Sequence, residues 1–483
     1  MASPRKVIPI IAALESGNDQ EQALYEVRKK IYPRAVSGWF ATWRWAMVFA
    51  TQLVFYGVPW LYWNDRQAVL FDLGARKFYI FGIVFWPQDF IYLTILLLIS
   101  AYSLFLFTAV AGRLWCGYAC PQTVYTEIFL WIERTIEGDR SAQMRLDNDA
   151  LTARKVAKKT TKHGVWIALS MWTGFTFVGY FTPIHDLAGE VLSWTLGPWE
   201  TFWLLFYGFA TYGNAGWMRE QVCKHMCPYA RFQSVMFDRD TLVITYDEAR
   251  GEPRGARSRK ANTGALGLGD CVDCEICVQV CPTGIDIRKG LQYECIGCTA
   301  CIDGCNQVMD KMGYPRGLIR YSSSNALQEH LGWASMLRRI MRPRVLIYSA
   351  VLGAIIISSS IALFNRLPVK VDVIRDRNAL SREVEGGQIE NVYRLQIMNT
   401  EEKYRNLQIT ATGIDGLKVQ GINMPLRVDP ASTRLYTINL RAPAENVARG
   451  SNRIEFHIVA VNAEGKAAGD AFSLHEKSVF FKS

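Results

Sequence analysis

The sequence predicts a multi-domain membrane protein with three parts: an α-helical transmembrane bundle of four plus one spans, a compact cysteine-rich α+β module and a C-terminal immunoglobulin-like β-sandwich. Three observations lead to this class. Apolar runs of about 20 residues, the length needed to cross a bilayer, alternate with charged stretches. All 12 cysteines lie between Cys116 and Cys305. After Pro368 the pattern changes to short segments of alternating apolar and polar residues.

The chain has 483 residues and a formal net charge of +10. Its Lys and Arg residues concentrate beside the apolar segments, which is typical of a protein that faces anionic lipid. A nucleic-acid-binding surface would instead need a basic face on a soluble fold. We therefore expect membrane lipid, and no nucleic acid, among the partners.

Five apolar segments predict the spans: 39–63, 87–113, 164–183, 198–217 and 345–364. Many Trp residues fall at their ends, as in an interfacial aromatic belt. Basic residues in the loop between the second and third spans, and before the fifth, indicate the cytoplasmic side, whereas the loop between the third and fourth spans has no Lys or Arg. An odd number of spans in a bacterial inner membrane then predicts a cytoplasmic N-terminus and cysteine module, and a periplasmic last domain.

These features divide the chain into five predicted regions. An N-terminal cytoplasmic segment with an interfacial amphipathic helix at 20–34 covers 1–38, and a second interfacial stretch lies at 325–341. Alternating segments at 393–398, 435–440 and 454–461 predict strands of a β-sandwich of about 100 residues, for which we expect a docking or spacer role. The other regions are the four-helix domain (39–230), the cysteine module (231–323), the interfacial helix with the fifth span (324–366) and the β-domain (367–483).

Two runs of four cysteines carry the strongest chemical signal. Within each run the cysteines are separated by two, two and three residues, which is the spacing of bacterial ferredoxins with two 4Fe-4S clusters. Structural zinc, the alternative, favours two CxxC pairs with a longer gap. In such ferredoxins the fourth cysteine of each run binds the cluster of the other run. We therefore expect one cluster on Cys271, Cys274, Cys277 and Cys305, and the other on Cys295, Cys298, Cys301 and Cys281.

The two runs differ at one position. Pro282 follows the last cysteine of the first run, whereas Asn306 follows the last cysteine of the second. We expect the turn geometry and the hydrogen bonding to the Cys305 sulfur to differ accordingly, and both tune a cluster's potential. Each cluster would pass one electron at a time.

The remaining four cysteines form a repeated CxxxCP motif at the ends of the second and fourth predicted spans. On a helix a spacing of four places both thiols on one face, and the proline is expected to end or kink that helix. Four thiols together would suit Cu(I), zinc or an iron centre, whereas the alternative is that they are small buried residues at packed helix ends. The motif cysteines are Cys116, Cys120, Cys223 and Cys227.

Three further residues accompany these motifs. Arg113 and Lys224 lie close in sequence, and their charges are expected to favour thiolate. His225, inside the second motif, is a further candidate metal ligand, although a histidine at a basic membrane edge is more often simply interfacial.

The order of these parts resembles the cytochrome c oxidase accessory proteins called CcoG, FixG or RdxA, over nearly the whole chain. The resemblance implies a role in assembling cbb3-type cytochrome c oxidase, as a reductase that converts Cu(II) to Cu(I) for copper-delivery proteins. Copper ions would then be the substrate, and the CxxxCP cysteines would be the catalytic and copper-binding thiols, because soft thiolates prefer Cu(I).

Two alternatives remain open at this point. The chain also resembles the membrane ferredoxins of periplasmic nitrate and nitrous-oxide reduction, which are linked to quinol oxidation. The other alternative is a non-catalytic assembly scaffold. The fifth span with its β-domain favours the oxidase-assembly family, with a quinol or a cytoplasmic electron donor supplying the electrons.

Overall fold

The computed structural model describes residues 30–259, 267–329, 331–376, 381–462 and 472–482. Residues 20–29 of the predicted interfacial helix at 20–34 lie outside these residues, and its described part, 30–34, is not helical.

The first half of the chain is mainly helical. A 3-10 turn, Val58–Trp60, follows the first helix, and two π-helical turns, Tyr212–Met218 and Val222–Met226, lie between the last two. The helices are α1 (Trp39–Gly57), α2 (Phe90–Ala111), α3 (Leu114–Tyr118), α4 (Pro121–Glu137), α5 (Arg140–Asn148), α6 (Ala153–Val178), α7 (Ile184–Ser193), α8 (Pro198–Thr211) and α9 (Pro228–Met236).

Short strands that the sequence analysis did not predict connect α1 to α2. The first two form a small ladder and the other three an antiparallel sheet in chain order. They are β1 (Tyr62–Trp63), β2 (Arg66–Gln67), β3 (Val69–Asp72), β4 (Lys77–Ile80) and β5 (Ile83–Phe85).

The cysteine-rich module is a small α+β unit in which the first and last strands pair antiparallel. The chain then leads through two short helices into a long apolar one. These elements are β6 (Val243–Tyr246), α10 (Glu248–Gly251), α11 (Ile276–Gln279), α12 (Ala300–Met312), β7 (Ile319–Ser322), α13 (Ser324–Gln328), α14 (Trp333–Ile340) and α15 (Pro343–Phe364). The stretch 325–341, predicted as one interfacial helix, is therefore divided between α13 and α14.

Two helices within the described residues are long and apolar enough to cross a membrane. They are Pro87–Ala111, which comprises α2 and the turn before it, and α15. They coincide with the second and fifth predicted spans and pack against each other. The other three predicted spans overlap α1 (19 residues), α6 (26 residues) and α8 (14 residues), none of which is both long and apolar enough, so their membrane crossing remains a prediction.

Several predicted boundaries are wrong. Helix α1 ends at Gly57 and does not continue to residue 63. The basic residues placed in a loop before the third span lie in α6, because Thr152 caps that helix with a hydrogen bond from Lys155 N to its Oγ1 (3.2 Å). The loop predicted between the third and fourth spans contains α7.

The C-terminal domain is a sandwich of two antiparallel sheets, as predicted. One sheet has the order β12-β14-β10-β8 with β9 beside β10, and the other has the order β13-β11-β15-β16. Apolar side chains that alternate along the long strands fill the space between the sheets. The strands are β8 (Val369–Arg375), β9 (Arg382–Val384), β10 (Gln388–Asn399), β11 (Arg405–Thr412), β12 (Lys418–Gln420), β13 (Leu426–Val428), β14 (Thr433–Pro443), β15 (Gly450–Val461) and β16 (Ser473–Lys482).

The β-domain contacts the strands between α1 and α2. Met398 packs with Val84 and Trp86 in one buried cluster. The buried carboxylate of Asp89 pairs with Arg366 and, at 2.6 Å, with Lys370. These contacts fix the β-domain to one end of the helical part, whereas the cysteine module lies at the end that includes the N-terminus of α1.

Candidate functional site

The structure brings Cys305 to the first three cysteines of the module. Burial raises the pKa of the Cys305 thiol to about 12, and the nearby thiols of Cys277, Cys274 and Cys271 raise it further. Cys305 lies in the interior of α12, and Cys277 lies in α11. Because these helices pack on each other, the last cysteine of the second run reaches the first run.

The reciprocal arrangement holds for Cys281. Burial raises the pKa of Cys301 well above its ordinary value, and Cys298, Cys295 and Cys281 add to that effect. A cavity in the module is lined by Cys277, Cys281, Cys295, Cys298 and Cys301. The two sets of four thiols named from the sequence are thus each assembled in space.

These residues fit two iron–sulfur clusters. Backbone N–H groups of Val278, Gly297, Ala300 and Ile319 hydrogen-bond to the sulfurs of Cys277, Cys295, Cys298 and Cys305 and favour their thiolates. Thiols buried this closely would remain protonated without a metal, because burial and mutual repulsion both raise their pKa values. On binding a cluster, these cysteines would lose their protons and ligate iron through their sulfurs.

The structure explains why Asn306 follows Cys305, whereas Pro282 follows Cys281. Helix α11 ends at Gln279, before Cys281-Pro282, whereas α12 continues past Cys305 to Met312. A proline at 306 would lack the N–H needed in a helix interior and would clash with the preceding turn. Asn306 also accepts a hydrogen bond at Oδ1 from Gly317 N (3.0 Å), which holds the turn leading into β7.

The CxxxCP motifs share one local geometry, which agrees with the prediction for the prolines but not for the thiols. The helical segment before each proline ends, at Tyr118 or Met226, and Pro121 and Pro228 then occupy the first turn of a new helix, α4 or α9. The second cysteine of each motif, Cys120 or Cys227, is the N-terminal capping residue, and its extended backbone separates two helical segments. The two thiols of a motif therefore do not share one continuous helix face.

The tertiary fold nevertheless brings the four motif thiols together. Burial raises the pKa of Cys116 to about 12, and Cys120 and Cys223 add to that effect. Burial likewise raises the pKa of Cys223 to about 11, with contributions from Cys120 and Cys227. Arg113 lowers both values, as predicted, but burial outweighs it, so charge alone does not make these thiols thiolates.

The spacing of these sulfurs limits what they can hold. Within the part of the chain that the structure describes, no three cysteine sulfurs lie within 4.8 Å of one another. A single tetrahedral metal with metal–sulfur bonds of about 2.3 Å would bring its thiolates closer than that. Among the described residues, the thiol site shares this wider spacing with the two ferredoxin sets.

The thiol site and the second cluster loop are in direct contact. Gly117, between Cys116 and Cys120, packs on the backbone of Gly297, and a Cβ at position 117 would collide with the Gly297 carbonyl. The Tyr118 hydroxyl lies 2.8 Å from Thr299 Oγ1. Cys223 packs against a group of buried apolar side chains that includes Cys298. The loop that carries three ligands of the second predicted cluster thus forms one wall of the thiol site.

Comparisons with known proteins agree with this architecture. Family models match at residues 218–324 (a 4Fe-4S dicluster domain), 93–137 (a 4Fe-4S binding domain) and 360–483 (an IG-like fold at the C-terminal of FixG). Protein RdxA of Cereibacter sphaeroides is 40% identical over 439 residues, which cover 87% of this chain and 91% of RdxA. The chain belongs to the FixG/RdxA family. It is an iron–sulfur redox protein with 4Fe-4S-binding domains and a C-terminal immunoglobulin-like domain.

Other relatives of this FixG/RdxA chain show how far the likeness extends. The nitrogen fixation protein FixG of Rhizobium meliloti is 38% identical over 426 residues, covering 81% of this chain and 80% of FixG. The ferredoxin-type protein NapH of Haemophilus influenzae is 22% identical over 232 residues, covering 45% of this chain and 68% of NapH. A crystal structure of a FixG-related protein from Vibrio parahaemolyticus aligns to 24% of this chain at 20% identity, with a TM-score of 0.20.

Several contacts that join the parts of this FixG/RdxA chain were not predicted from the sequence: Arg44 and Asp303 were not singled out, and Arg113 was placed only beside the motif thiols. Arg44, buried on α1, donates from Nη1 to the Cys298 carbonyl (2.9 Å), and Arg113 donates from Nη1 to the Cys295 carbonyl (3.2 Å). Asp303 accepts a hydrogen bond from Ala41 N (2.8 Å) at the start of α1. An arginine inside an apolar segment was the available signal for Arg44, because such a residue is rarely placed without a partner. His225 is exposed, and its position does not support the prediction that it is a metal ligand.

Proposed function

We propose that this protein is a membrane-bound cupric reductase that makes Cu(I) from Cu(II) for the assembly of cbb3-type cytochrome c oxidase. In this proposal the ferredoxin module supplies single electrons and the four CxxxCP thiols receive the copper. One observation carries the proposal: the Gly117–Gly297 contact, which joins the thiol site to the loop of the second predicted cluster.

The chemistry follows from the ligands. A 4Fe-4S cluster held by Cys295, Cys298, Cys301 and Cys281 would supply one electron per turnover. Reduction of Cu(II) takes one electron, so one cluster oxidation balances one Cu(I) formed. The thiols of Cys116, Cys120, Cys223 and Cys227 lose protons when they bind metal, and soft sulfur ligands favour Cu(I) over Cu(II). The site thus stabilises the product of the transfer.

An access route to the thiol site supports the proposal. A narrow cleft of about 50 Å³ lies between the helical part and the ferredoxin module, and both Cys223 and Cys298 line it. Arg44, Arg219 and Glu220 also line the cleft. A small ion would reach Cys223 here without crossing the packed core.

Membrane insertion through five spans is part of the proposal. Large apolar side chains are exposed along α1 and α8 as well as along the two apolar helices, and patches of this size are covered by lipid or by protein. The cysteine module and the β-domain lie at opposite ends of the helical part. This arrangement supports a cytoplasmic ferredoxin module and a periplasmic β-domain.

Two observations favour a third 4Fe-4S cluster, in place of copper, as the occupant of the thiol site. The family model at residues 93–137, which contain Cys116 and Cys120, is described as a 4Fe-4S binding domain. The wide sulfur spacing also suits a polynuclear centre. Iron and sulfide analysis separates the two cases: about eight irons per chain indicate the two ferredoxin clusters alone, and about twelve indicate a third cluster on the CxxxCP thiols.

The deciding experiment uses the full chain purified anaerobically in detergent. The clusters are reduced with dithionite, excess reductant is removed, and Cu(II) is added with a Cu(I)-specific chelator while cluster absorbance and EPR are followed. We expect cluster reoxidation and Cu(I) formation in equal electron equivalents. Replacing the four CxxxCP cysteines with serine should abolish the reaction while the ferredoxin EPR signals persist, and Ser234→Ala on α9 serves as the control.

Three other results would replace the proposal. Clusters that are not oxidised by Cu(II) but are oxidised by a quinone analogue would indicate that the protein is a quinol-linked membrane ferredoxin. Clusters inert to both oxidants would favour an assembly scaffold. Copper reduction that persists in the four-serine variant would place the reaction elsewhere in the chain.

A further inference from the structure

Three potential metal ligands meet on the outer face of the C-terminal β-sandwich. Glu455 and His457 lie on β15, and His475 lies on β16. One donor atom from each lies within 4.8 Å of the other two, and among the described residues this is the one group of three His, Cys, Asp or Glu side chains that meets this distance.

The sheet register explains why they meet. His457 pairs directly with His475 across the antiparallel ladder, and Glu455 precedes His457 by two residues on the same strand face. The core residues Ile454, Phe456 and Ile458 alternate with them and point inward. The site is therefore built on two rigid strands, and its side chains face outward.

The side-chain geometry suits a shared ligand. The two imidazole rings have centroids 4.4 Å apart and are nearly perpendicular, at 88°. His475 Nδ1 lies 4.0 Å from Glu455 Oε1. Thr412 on β11 has its Oγ1 2.8 Å from His457 Nε2, a hydrogen bond that fixes the ring orientation.

We propose that Glu455, His457 and His475 form a binding site for a divalent transition-metal ion, with Cu(II) bound most tightly. Two imidazoles and one carboxylate are ligands of intermediate hardness, and the affinity of such sites rises along the first-row series to Cu(II). No cysteine occurs after Cys305, so the site lacks the soft sulfur ligands that select Cu(I). This site is separate from the CxxxCP thiols and does not depend on the reductase proposal.

One nearby charge opposes metal binding. Lys477 is exposed and lies opposite Glu455 in the ladder, on the same face. Its ammonium competes with a cation for the carboxylate. We therefore expect Lys477→Gln to bind Cu(II) more tightly than the parent protein, which gives the site a gain-of-affinity variant as well as loss variants.

The test uses the full chain in detergent with Cys116, Cys120, Cys223 and Cys227 replaced by serine, with oxidised clusters and no added reductant, so that neither the thiols nor the clusters reduce the copper. One equivalent of Cu(II) is added, EPR is recorded, and affinity is measured by chelator competition. We expect nitrogen coupling from two imidazoles. The affinity should fall at least about tenfold in His475→Asn and in Glu455→Gln. Glu445→Gln, an exposed carboxylate elsewhere in the same domain, is the matched control and should leave it unchanged.

The proposal is overturned if the parent protein shows no imidazole coupling, or if His475→Asn and Glu455→Gln both bind Cu(II) like the parent. Because both side chains lie on the outer face, neither change removes core packing, and an unchanged thermal unfolding midpoint checks this. If copper reduction fails while this site still binds Cu(II), only the reductase proposal is lost.

Discussion

At the scale of single residues, two buried arginines connect the helical part to the second predicted cluster. Arg44 and Arg113 each donate to the carbonyl of a cysteine expected to ligate that cluster. A cluster gains negative charge on reduction, and a nearby fixed cation in a poorly solvated region stabilises the reduced form. These arginines are therefore expected to raise its potential.

Replacing Arg44 with Gln should lower the potential of the second cluster by tens of millivolts and leave the first nearly unchanged. The physical reason is the loss of one buried positive charge beside Cys298. An EPR-monitored redox titration measures both potentials. Arg316→Gln, which removes an exposed arginine paired with Asp310 in the same module, is the control. Equal shifts of both clusters would contradict the assignment of Cys298 to one cluster.

Another residue-scale prediction concerns Glu390 in the β-domain. Its carboxylate is fully buried and pairs with Arg382 and Arg441. Burial alone would raise the pKa of Glu390, but the hydrogen bonds from Arg441 and Arg382 outweigh burial and lower it. The stability that this pairing contributes is thus complete above the ordinary carboxyl pKa of 4.5 and is lost as the pH falls through the lower folded-state value.

Glu390→Gln should therefore cost about 2 kcal/mol of β-domain stability at neutral pH and almost none once the pH is low enough to protonate Glu390. Thermal unfolding of parent and variant across that pH range, followed by near-ultraviolet circular dichroism, measures the difference. A difference between the two proteins that is independent of pH would show that packing, not charge, explains the loss.

At the scale of elements, the first helix begins on a side chain supplied by another domain. Gly38 precedes α1, and Asp303 of α12 accepts hydrogen bonds from Ala41 N (2.8 Å) and Phe40 N (3.4 Å). A Cβ at position 38 would collide with the Asp303 carboxylate, so glycine permits this approach. A carboxylate at a helix N-terminus accepts hydrogen bonds from the free N–H groups, and its negative charge interacts favourably with the positive end of the helix dipole.

Asp303→Ala should weaken the docking of the ferredoxin module on α1 by about 1 kcal/mol, the usual cost of losing such a cap. Asp303→Asn should cost less, because the amide oxygen still accepts a hydrogen bond. The midpoint of heat-induced loss of cluster absorbance reports the change. Asp310→Ala, on the same helix but half-exposed, should have little effect, and an equal loss in both variants would contradict the capping role.

At the scale of the whole molecule, the chain joins an electron-carrying module to a thiol site through a close backbone contact. Gly117 and Gly297 allow that approach, and Gly297 has a positive φ of +71° that favours glycine. The β-domain is attached at the other end of the helical part through Asp89, Arg366 and Lys370. The electron-carrying module and the β-domain are thus separated along the molecule.

Gly117→Ala should slow electron transfer from the reduced clusters to Cu(II) by about tenfold or more, because the added methyl group pushes the cluster loop away from the thiol site. Iron content should remain normal, since no cluster ligand changes. Stopped-flow absorbance after Cu(II) addition measures the rate. Gly164→Ala, where the added Cβ would contact nothing within 4 Å, is the matched control. An unchanged rate in Gly117→Ala would exclude this contact as the electron path.

Cysteine spacing and apolar periodicity alone predicted much of this architecture. The ferredoxin spacing is local and chemically strict, so it identified the eight candidate cluster ligands and their division into two sets. Alternation along residues 393–398, 435–440 and 454–461 identified strands that lie within β10, β14 and β15. The single helix face predicted for the two thiols of each CxxxCP motif was wrong, because the extended residue before each proline separates two helical segments.

The sequence by itself determined the redox class of this protein, because sulfur ligation depends on cysteines close together in the chain. Only the tertiary structure decided the relations between distant residues: Gly117 against Gly297, Asp303 at the start of α1, Arg44 on Cys298, and His457 beside His475. The physical reason is that each of these contacts depends on helix packing or strand register. Both are set by the burial of many side chains at once, which no short motif records.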